Sequence, residues 1–173
     1  MSKIIQTPIS QLNIDELEVG DTILLSGYIY CGRDAVLPKI VKMAEEGRLA
    51  ASGIDLEGGV IFHTAVSPAG VGPTSSNKLE IESSIIPLSK AGIRIHLGKG
   101  ALKPETVAGL AQYHSAYAVI PPVTALLGAK TEEQKLAAFP ELGMEALYLL
   151  KVREYPAIIA AAHGRSIYER ENV

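Results

Sequence analysis

Ile23-Leu24-Leu25-Ser26-Gly27-Tyr28-Ile29-Tyr30-Cys31-Gly32-Arg33-Asp34 is the stretch on which the fold turns. Its first eight residues are rich in β-formers and read as a strand opened by Asp21-Thr22. The strand runs into Cys31-Gly32-Arg33. Asp34 is then an N-cap candidate for a helix over 35–47, with Val36, Leu37, Ile40, Val41 and Ala44 at helical spacing. Pro38 falls in the first turn, where its missing N–H costs little, and Gly47 marks the stop. The unit is therefore strand, polar tip, helix.

The same unit recurs along the chain. Residues 60–65 read as a second strand, and 67–73, with two prolines and two glycines, as a loop. A helix is expected over 75–90, kinked or divided at Pro87 and ended by Gly92. Residues 93–97 alternate as a strand and lead into Gly98-Lys99-Gly100. Pro104 and Glu105 open a helix over 104–114. A short strand over 116–120 stops at Pro121-Pro122, and a helix is expected over 123–130. The tail holds two β-rich runs, 146–155 and 157–162, and His163-Gly164 turns the chain before Ser166-Ile167-Tyr168. Alternation in the middle with strand-rich ends predicts an α/β fold, a mixed sheet with flanking helices. No linker divides it, so 1–173 reads as a single domain.

Bulk properties narrow the function. Of 173 residues, 47% are apolar and 20% charged, which suits a packed core. A net charge of −3 gives no electrostatic case for nucleic acid. No apolar run reaches the roughly 20 residues that cross a bilayer, and Met1–Pro8 lacks the apolar core of a signal peptide. Cys31 is the only cysteine, so no internal disulfide forms, and an iron–sulfur cluster, which takes about four thiolates, finds no ligand set here. These features predict a cytoplasmic protein in a reducing compartment, with no metal held by this chain alone.

Three tips carry the chemistry: Cys31-Gly32-Arg33-Asp34, Val71-Gly72-Pro73-Thr74-Ser75-Ser76-Asn77-Lys78 and Gly98-Lys99-Gly100. In an α/β sheet the strand ends meet at one edge, and ligands bind there. Gathered at that edge, Arg33, Lys78 and Lys99 with the hydroxyl of Thr74 or Ser75 would hold a small dianion. Arginine grips a carboxylate with a two-pronged fork. Glycines beside Lys99 let the backbone approach a ligand. A hydroxyl is a poor base unless cations stabilise its alkoxide or a carboxylate relays the proton.

Each residue also has a plainer reading. Thr74 suits a helix N-cap, Lys78 a solvated lysine one turn into the helix, Arg33 a surface pair with Asp34, and Lys99 a loop lysine. His63, at a strand end, is a possible lining residue of the site. His96 reads as packed or edge-exposed, and His114 and His163 as solvent-facing. Cys31 beside Arg33 reads either as a reactive thiol or as a small buried one.

Taken in order, Val19-Gly20-Asp21, Ser26 to Asp34, Val71-Gly72-Pro73-Thr74-Ser75-Ser76, Gly98-Lys99-Gly100 and Glu141-Leu142-Gly143-Met144-Glu145-Ala146 resemble the β-subunit, or C-terminal domain, of the class I iron–sulfur hydro-lyases. That family includes class I fumarate hydratase and L-tartrate dehydratase. The likeness runs from about Thr7 to Tyr168. It implies a swivelling β/β/α domain and an α-subunit partner that carries a 4Fe-4S cluster with one iron open to substrate, a Lewis acid for the substrate hydroxyl. It implies a hetero-oligomer or a homodimer of heterodimers. Arg33 then resembles the family's carboxylate-binding arginine, Thr74 its catalytic base, working with an aspartate of the partner, and Lys99 a substrate-facing lysine. Lys78 stands where the family usually has arginine, replacing a two-pronged contact with a point charge. Ile120-Pro121-Pro122-Val123-Thr124 replaces a glycine-rich stretch. The implied reaction is hydration of fumarate to malate, a step of the tricarboxylic acid cycle. Tartrate dehydration, or a non-catalytic assembly module of the same fold, are the other readings.

Overall fold

The computed structural model describes residues 2–67, 70–74, 78–120, 127 and 129–168, and gives only the backbone for 67, 70–74 and 78–81. Its centre is a closed five-stranded barrel. Strand β2 (Thr22–Cys31) pairs in parallel with β3 (Val60–Phe62), β3 with β6 (Ile95–Gly98), and β6 with β7 (Ala116–Val119). The long antiparallel β9 (Leu147–Ala162) joins β7 back to β2. Following partners from Ile159 through Ala118, Leu97, Phe62 and Cys31, one circuit returns to β9 at Tyr148. That stagger is the one a closed barrel of tilted strands requires.

Alternation along each strand divides the core. Ile23, Leu25, Ile29, Phe62, Ile95, Leu97, Ala116 and Ala118 fill the barrel together with Val152, Tyr155 and Ile159. The intervening positions face helices outside it. Ile61 packs with Leu37 and Ile40 of α2 (Leu37–Glu45) and with Leu88 of α3 (Lys78–Lys90). Tyr117 packs with Ile85 of α3 and with Val107 and Leu110 of α4 (Pro104–Gln112). At Gly109 a Cβ would meet the terminal methyl of Ile86 at 2.6 Å, so the missing side chain makes room for Ile86 where α3 meets α4.

The expected α/β fold with flanking helices is present, with several local corrections. Helix α2 begins at Leu37 and has Val36 at its N-cap with no side-chain bond, so Asp34 is not its cap. Gly47, at φ 69°, ends it as expected. Residues 67–73 are not simply loop: β4 (Thr64–Ser67) and β5 (Gly70–Thr74) form an antiparallel ribbon. Pro and Gly are tolerated there because a two-stranded ribbon has open edges. Helix α3 is not divided at Pro87, because Ile85 and Leu88 on either side are fully buried and that burial outweighs the lost helix bond.

The two tail runs form one strand. Its irregularity is a bulge opposite Ser26, where the Glu154 N–H donates to Ser26 Oγ at 2.8 Å and Glu154 adopts φ 53°. Two strands have no counterpart in the sequence reading. β1 (Lys3–Gln6) lies parallel to the first half of β2, and β8 (Thr131–Ala138) pairs with the first half of β9. A short helix α1 (Gln11–Asp15) carries a Ser10–Asn13 capping box. His163 and Gly164, both left-handed, turn β9 into β10 (Arg165–Ser166), as expected. The helix expected over 123–130 and the Pro121-Pro122 segment fall largely outside the described residues. Among the described residues no helix is long and apolar enough to cross a membrane.

Candidate active site

The four parallel strands all end on one rim of the barrel. Cys31, Phe62, Leu97 and Ala118 are mutual partners at one level. The ladder extends one step past them: Gly32 N–H donates to Phe62 O at 3.0 Å, His63 N–H to Leu97 O at 3.0 Å, and Ile120 N–H to Gly98 O at 3.2 Å. Arg33, Thr64 and Lys99 follow directly, so three consecutive strands deliver them to the same rim. Thr74 joins by register, since its Cα is the partner of Thr64 in the β4–β5 ribbon. Lys78, four residues later, is the first described residue of α3.

The backbone therefore brings together the tips bearing Arg33, Thr74 and Lys99, which lie far apart in sequence. Thr74 ends β5, and α3 is described from Lys78 onward; the helix-cap reading of Thr74 and the one-turn-in reading of Lys78 depend on residues 75–77, which lie outside the described residues. The side chains of Thr74 and Lys78, and the whole of Ser75, lie outside the described residues.

Arg33 leaves the rim half-buried and faces Glu145, with Nε 3.8 Å from Oε2. Glu145 ends a 3-10 turn over Pro140–Glu145 that bends at Gly143 (φ 59°, ψ −124°) and is tied to β9 by Tyr148 Oη donating to Gly143 O at 3.1 Å. The turn thus supplies an anion to Arg33, a contact visible in sequence only as part of the Glu141–Ala146 motif. Lys99 is exposed, and Gly100 after it adopts φ 79°, a left-handed turn open to glycine. At Gly98 a Cβ would sit 3.0 Å from the Tyr117 hydroxyl, so the tip needs its glycines on both sides.

Cys31 is fully buried in the barrel, and burial pushes its thiol up, away from the reactive thiolate. Among the described residues no three His, Cys, Asp or Glu side chains gather as a metal site. With one thiol sealed in an apolar core, the residues of this chain do not fit a 4Fe-4S cluster.

His63 sits at the rim end of β3 but is buried, and so is His96 on β6. Their rings stack at 5.4 Å, with His63 Nε2 3.2 Å from His96 Nδ1, and His96 Nε2 lies 2.8 Å from Ser89 Oγ of α3. This buried polar chain was not legible in the sequence, where the three residues carry no motif. His114 is exposed beside Asp15 at 4.0 Å, and His163 Nε2 bonds to Leu17 O at 2.6 Å.

Burial first, and His63 second, hold His96 well below the ordinary histidine value. The unfolded chain takes up a proton near pH 6.5 that folded His96 refuses. Its contribution to stability is therefore complete above that pH and falls as the pH drops, by about 1.4 kcal/mol per pH unit. Urea unfolding at pH 6.5 and 5.0 should show this slope, and His96→Val should flatten it. An equal slope in both proteins would mean that folded His96 takes up its proton as readily as the unfolded chain does.

A family model described as Fumarase C-terminus matches residues 3–171. The L(+)-tartrate dehydratase subunit beta of Escherichia coli (strain K12) is 29% identical over 181 residues, covering 96% of this chain and 87% of that protein. A provisionally named L(+)-tartrate dehydratase subunit beta of Methanocaldococcus jannaschii is 30% identical, covering 95% and 90%. A provisionally named class I fumarate hydratase of Geobacillus stearothermophilus is 28% identical over 95% of this chain, which corresponds to 33% of that longer protein.

Proposed function

We infer the function from the fact that this chain belongs to the Fumarase C-terminus family. It is the β-subunit of a hydro-lyase acting on a four-carbon dicarboxylate, and it works against an α-subunit that carries the 4Fe-4S cluster. The observation that supports this reading is the rim, where hydrogen-bond register sets the tips of Arg33, Thr74 and Lys99 side by side.

The share of the reaction assigned to this chain is binding and proton transfer. The Arg33 fork takes one substrate carboxylate in place of Glu145. Lys99 and Lys78 sit over the second carboxylate and over the negative charge that grows when the adjacent carbon loses its proton. In dehydration the Thr74 hydroxyl gives its own proton to a carboxylate of the partner as Oγ takes the proton from carbon, while the hydroxyl of the neighbouring carbon departs with its bonding electrons as hydroxide, which the cluster's open iron would accept. In hydration the same proton returns to carbon as hydroxide adds across the double bond. Ser75, next to Thr74, is a second hydroxyl for the bound carboxylate. His63 supports the rim from beneath.

Fumarate hydration to malate is the reaction we assign first. L(+)-tartrate dehydration is the second reading, favoured by the names of the separate β-subunits that align with almost the whole of this chain. Oxygen-free co-expression with an α-subunit, followed by assay on fumarate, malate and tartrate, tests both. Oxygen-sensitive turnover of fumarate supports the first and turnover of tartrate alone the second. A cluster-loaded but inert complex would favour a non-catalytic assembly module.

Arg33→Lys exchanges the fork for a point charge. The KM for dicarboxylate should rise about ten- to hundredfold, the value of one or two charged hydrogen bonds, with kcat little altered. Steady-state kinetics on the assembled pair reads this, and an unchanged KM would remove Arg33 from the substrate.

A further inference from the structure

The layer between the barrel wall and α3 is mostly apolar, with Ile61, Ile85, Leu88 and Ile93 and the small buried Ser84. His63, His96 and Ser89 interrupt it, and all three are buried. Apolar side chains would fill the same space without a desolvation cost, which the contacts among Ser89 Oγ, the two His96 nitrogens and His63 Nε2 offset in part. They come from three separate elements. His96 is the ladder partner of Ile61, which places His63 diagonally above it toward the rim. Ser89 reaches His96 from the far end of α3.

Two neutral imidazoles joined through Nε2 and Nδ1 have their protons coupled, since one proton lies between them and each ring carries only one. Either both rings are Nε2–H, with His96 donating to Ser89, or both are Nδ1–H, with Ser89 donating to His96. The described partner of the Ser89 hydroxyl is His96, so only the second arrangement uses the buried Ser89 O–H. The proton order is then Ser89 O–H to His96 Nε2, and His96 Nδ1–H to His63 Nε2, leaving His63 with a donor at Nδ1. His63 immediately precedes Thr64, whose register partner is Thr74.

We propose that Ser89, His96 and His63 form a tautomer-coupled chain that presents a fixed hydrogen-bond donor, His63 Nδ1–H, beneath the rim and so positions the ribbon bearing Thr74. The chain itself stands on the geometry of the three buried residues. Its catalytic consequence rests on the hydro-lyase reading.

Long-range nitrogen–proton NMR on the full-length chain labelled with 15N-histidine reads the tautomer of each ring at pH 7. Both His63 and His96 should be Nδ1–H. Ser89→Ala should release both into mixed tautomers, and Ser89→Thr, which keeps a hydroxyl, should restore them. In the assembled pair Ser89→Ala should lower kcat about tenfold with KM unchanged, the worth of one buried hydrogen bond, and Ser89→Thr should recover it. Opposite tautomers in the two wild-type rings would overturn the chain, as would His63 nitrogen shifts indifferent to Ser89→Ala. Unaltered kcat in Ser89→Ala would overturn its positioning role. An inert wild-type pair would count against the hydro-lyase reading, while the tautomers would still decide the chain.

Discussion

Thr74→Ala lowers turnover of the assembled pair by about 10²- to 10⁴-fold, the contribution typical of one positioned acid–base group. Alanine keeps the backbone of β5, and the register of Thr74 against Thr64 is made by main chain, so the ribbon and its assembly should survive. Under the proposed function the lost group is the one that moves the proton. KM should therefore hardly change, because the carboxylates are held by cations on other strands. Thr74→Ser retains an oxygen at the same position and should keep most of the rate. Rapid-quench or steady-state assays on cluster-loaded pairs separate the outcomes. Near-normal turnover in Thr74→Ala would take this residue out of the mechanism and direct attention to Ser75.

Phe62→Ala is the second large effect, and it acts on the frame rather than the chemistry. Phe62 is fully buried inside the barrel and meets the Tyr155 ring edge-on, at 6.4 Å between centroids and 89° between planes. Tyr155 in turn shares a hydrogen bond with the Thr131 hydroxyl, linking β9 to the start of β8. Truncation leaves a cavity where β3 and β9 face each other across the barrel. The expected loss is about 3–5 kcal/mol, a large part of the roughly 5–15 kcal/mol that holds a domain folded. At about 2–4 °C per kcal/mol for a chain of this size, the melting temperature should fall by about 6–20 °C. Ile4→Ser, at a side chain 77% exposed on β1, should change stability by less than about 0.5 kcal/mol. A loss below about 1 kcal/mol for Phe62→Ala would mean that the barrel interior is not packed as described.

The parallel strands and their helices were legible because each carries its own signal. Thr22–Cys31 is a continuous β-rich run, α4 opens with Pro104, and Gly47 ends α2. What escaped was set by tertiary pairing. β8 reads Thr-Glu-Glu-Gln-Lys-Leu-Ala-Ala, mostly exposed and without alternation. It is a strand because the edge of β9 offers it a ladder, which local propensity does not record. The β4–β5 ribbon was hidden by its own Pro and Gly, which weaken a central strand but not an edge one.

The rim shows the same division. Glycine-marked tips identified Arg33, Thr74 and Lys99 as candidates; parallel pairing brings the backbones of Arg33 and Lys99 to one end, and the antiparallel ribbon brings that of Thr74. Glu145 and the Ser89–His96–His63 chain depend on contacts between elements distant in sequence. A lone histidine in an apolar strand gives no hint that another will stack on it.

The central claim is that one end of this barrel holds a dicarboxylate against the α-subunit. Its most direct test is a structure of the assembled pair, solved without oxygen, with a dicarboxylate bound. The account predicts one carboxylate within hydrogen-bond distance of the Arg33 guanidinium, the other near Lys99, and Thr74 Oγ facing the carbon between them. A ligand seated elsewhere, with Arg33 still held by Glu145 and the rim turned away from the α-subunit, would contradict it.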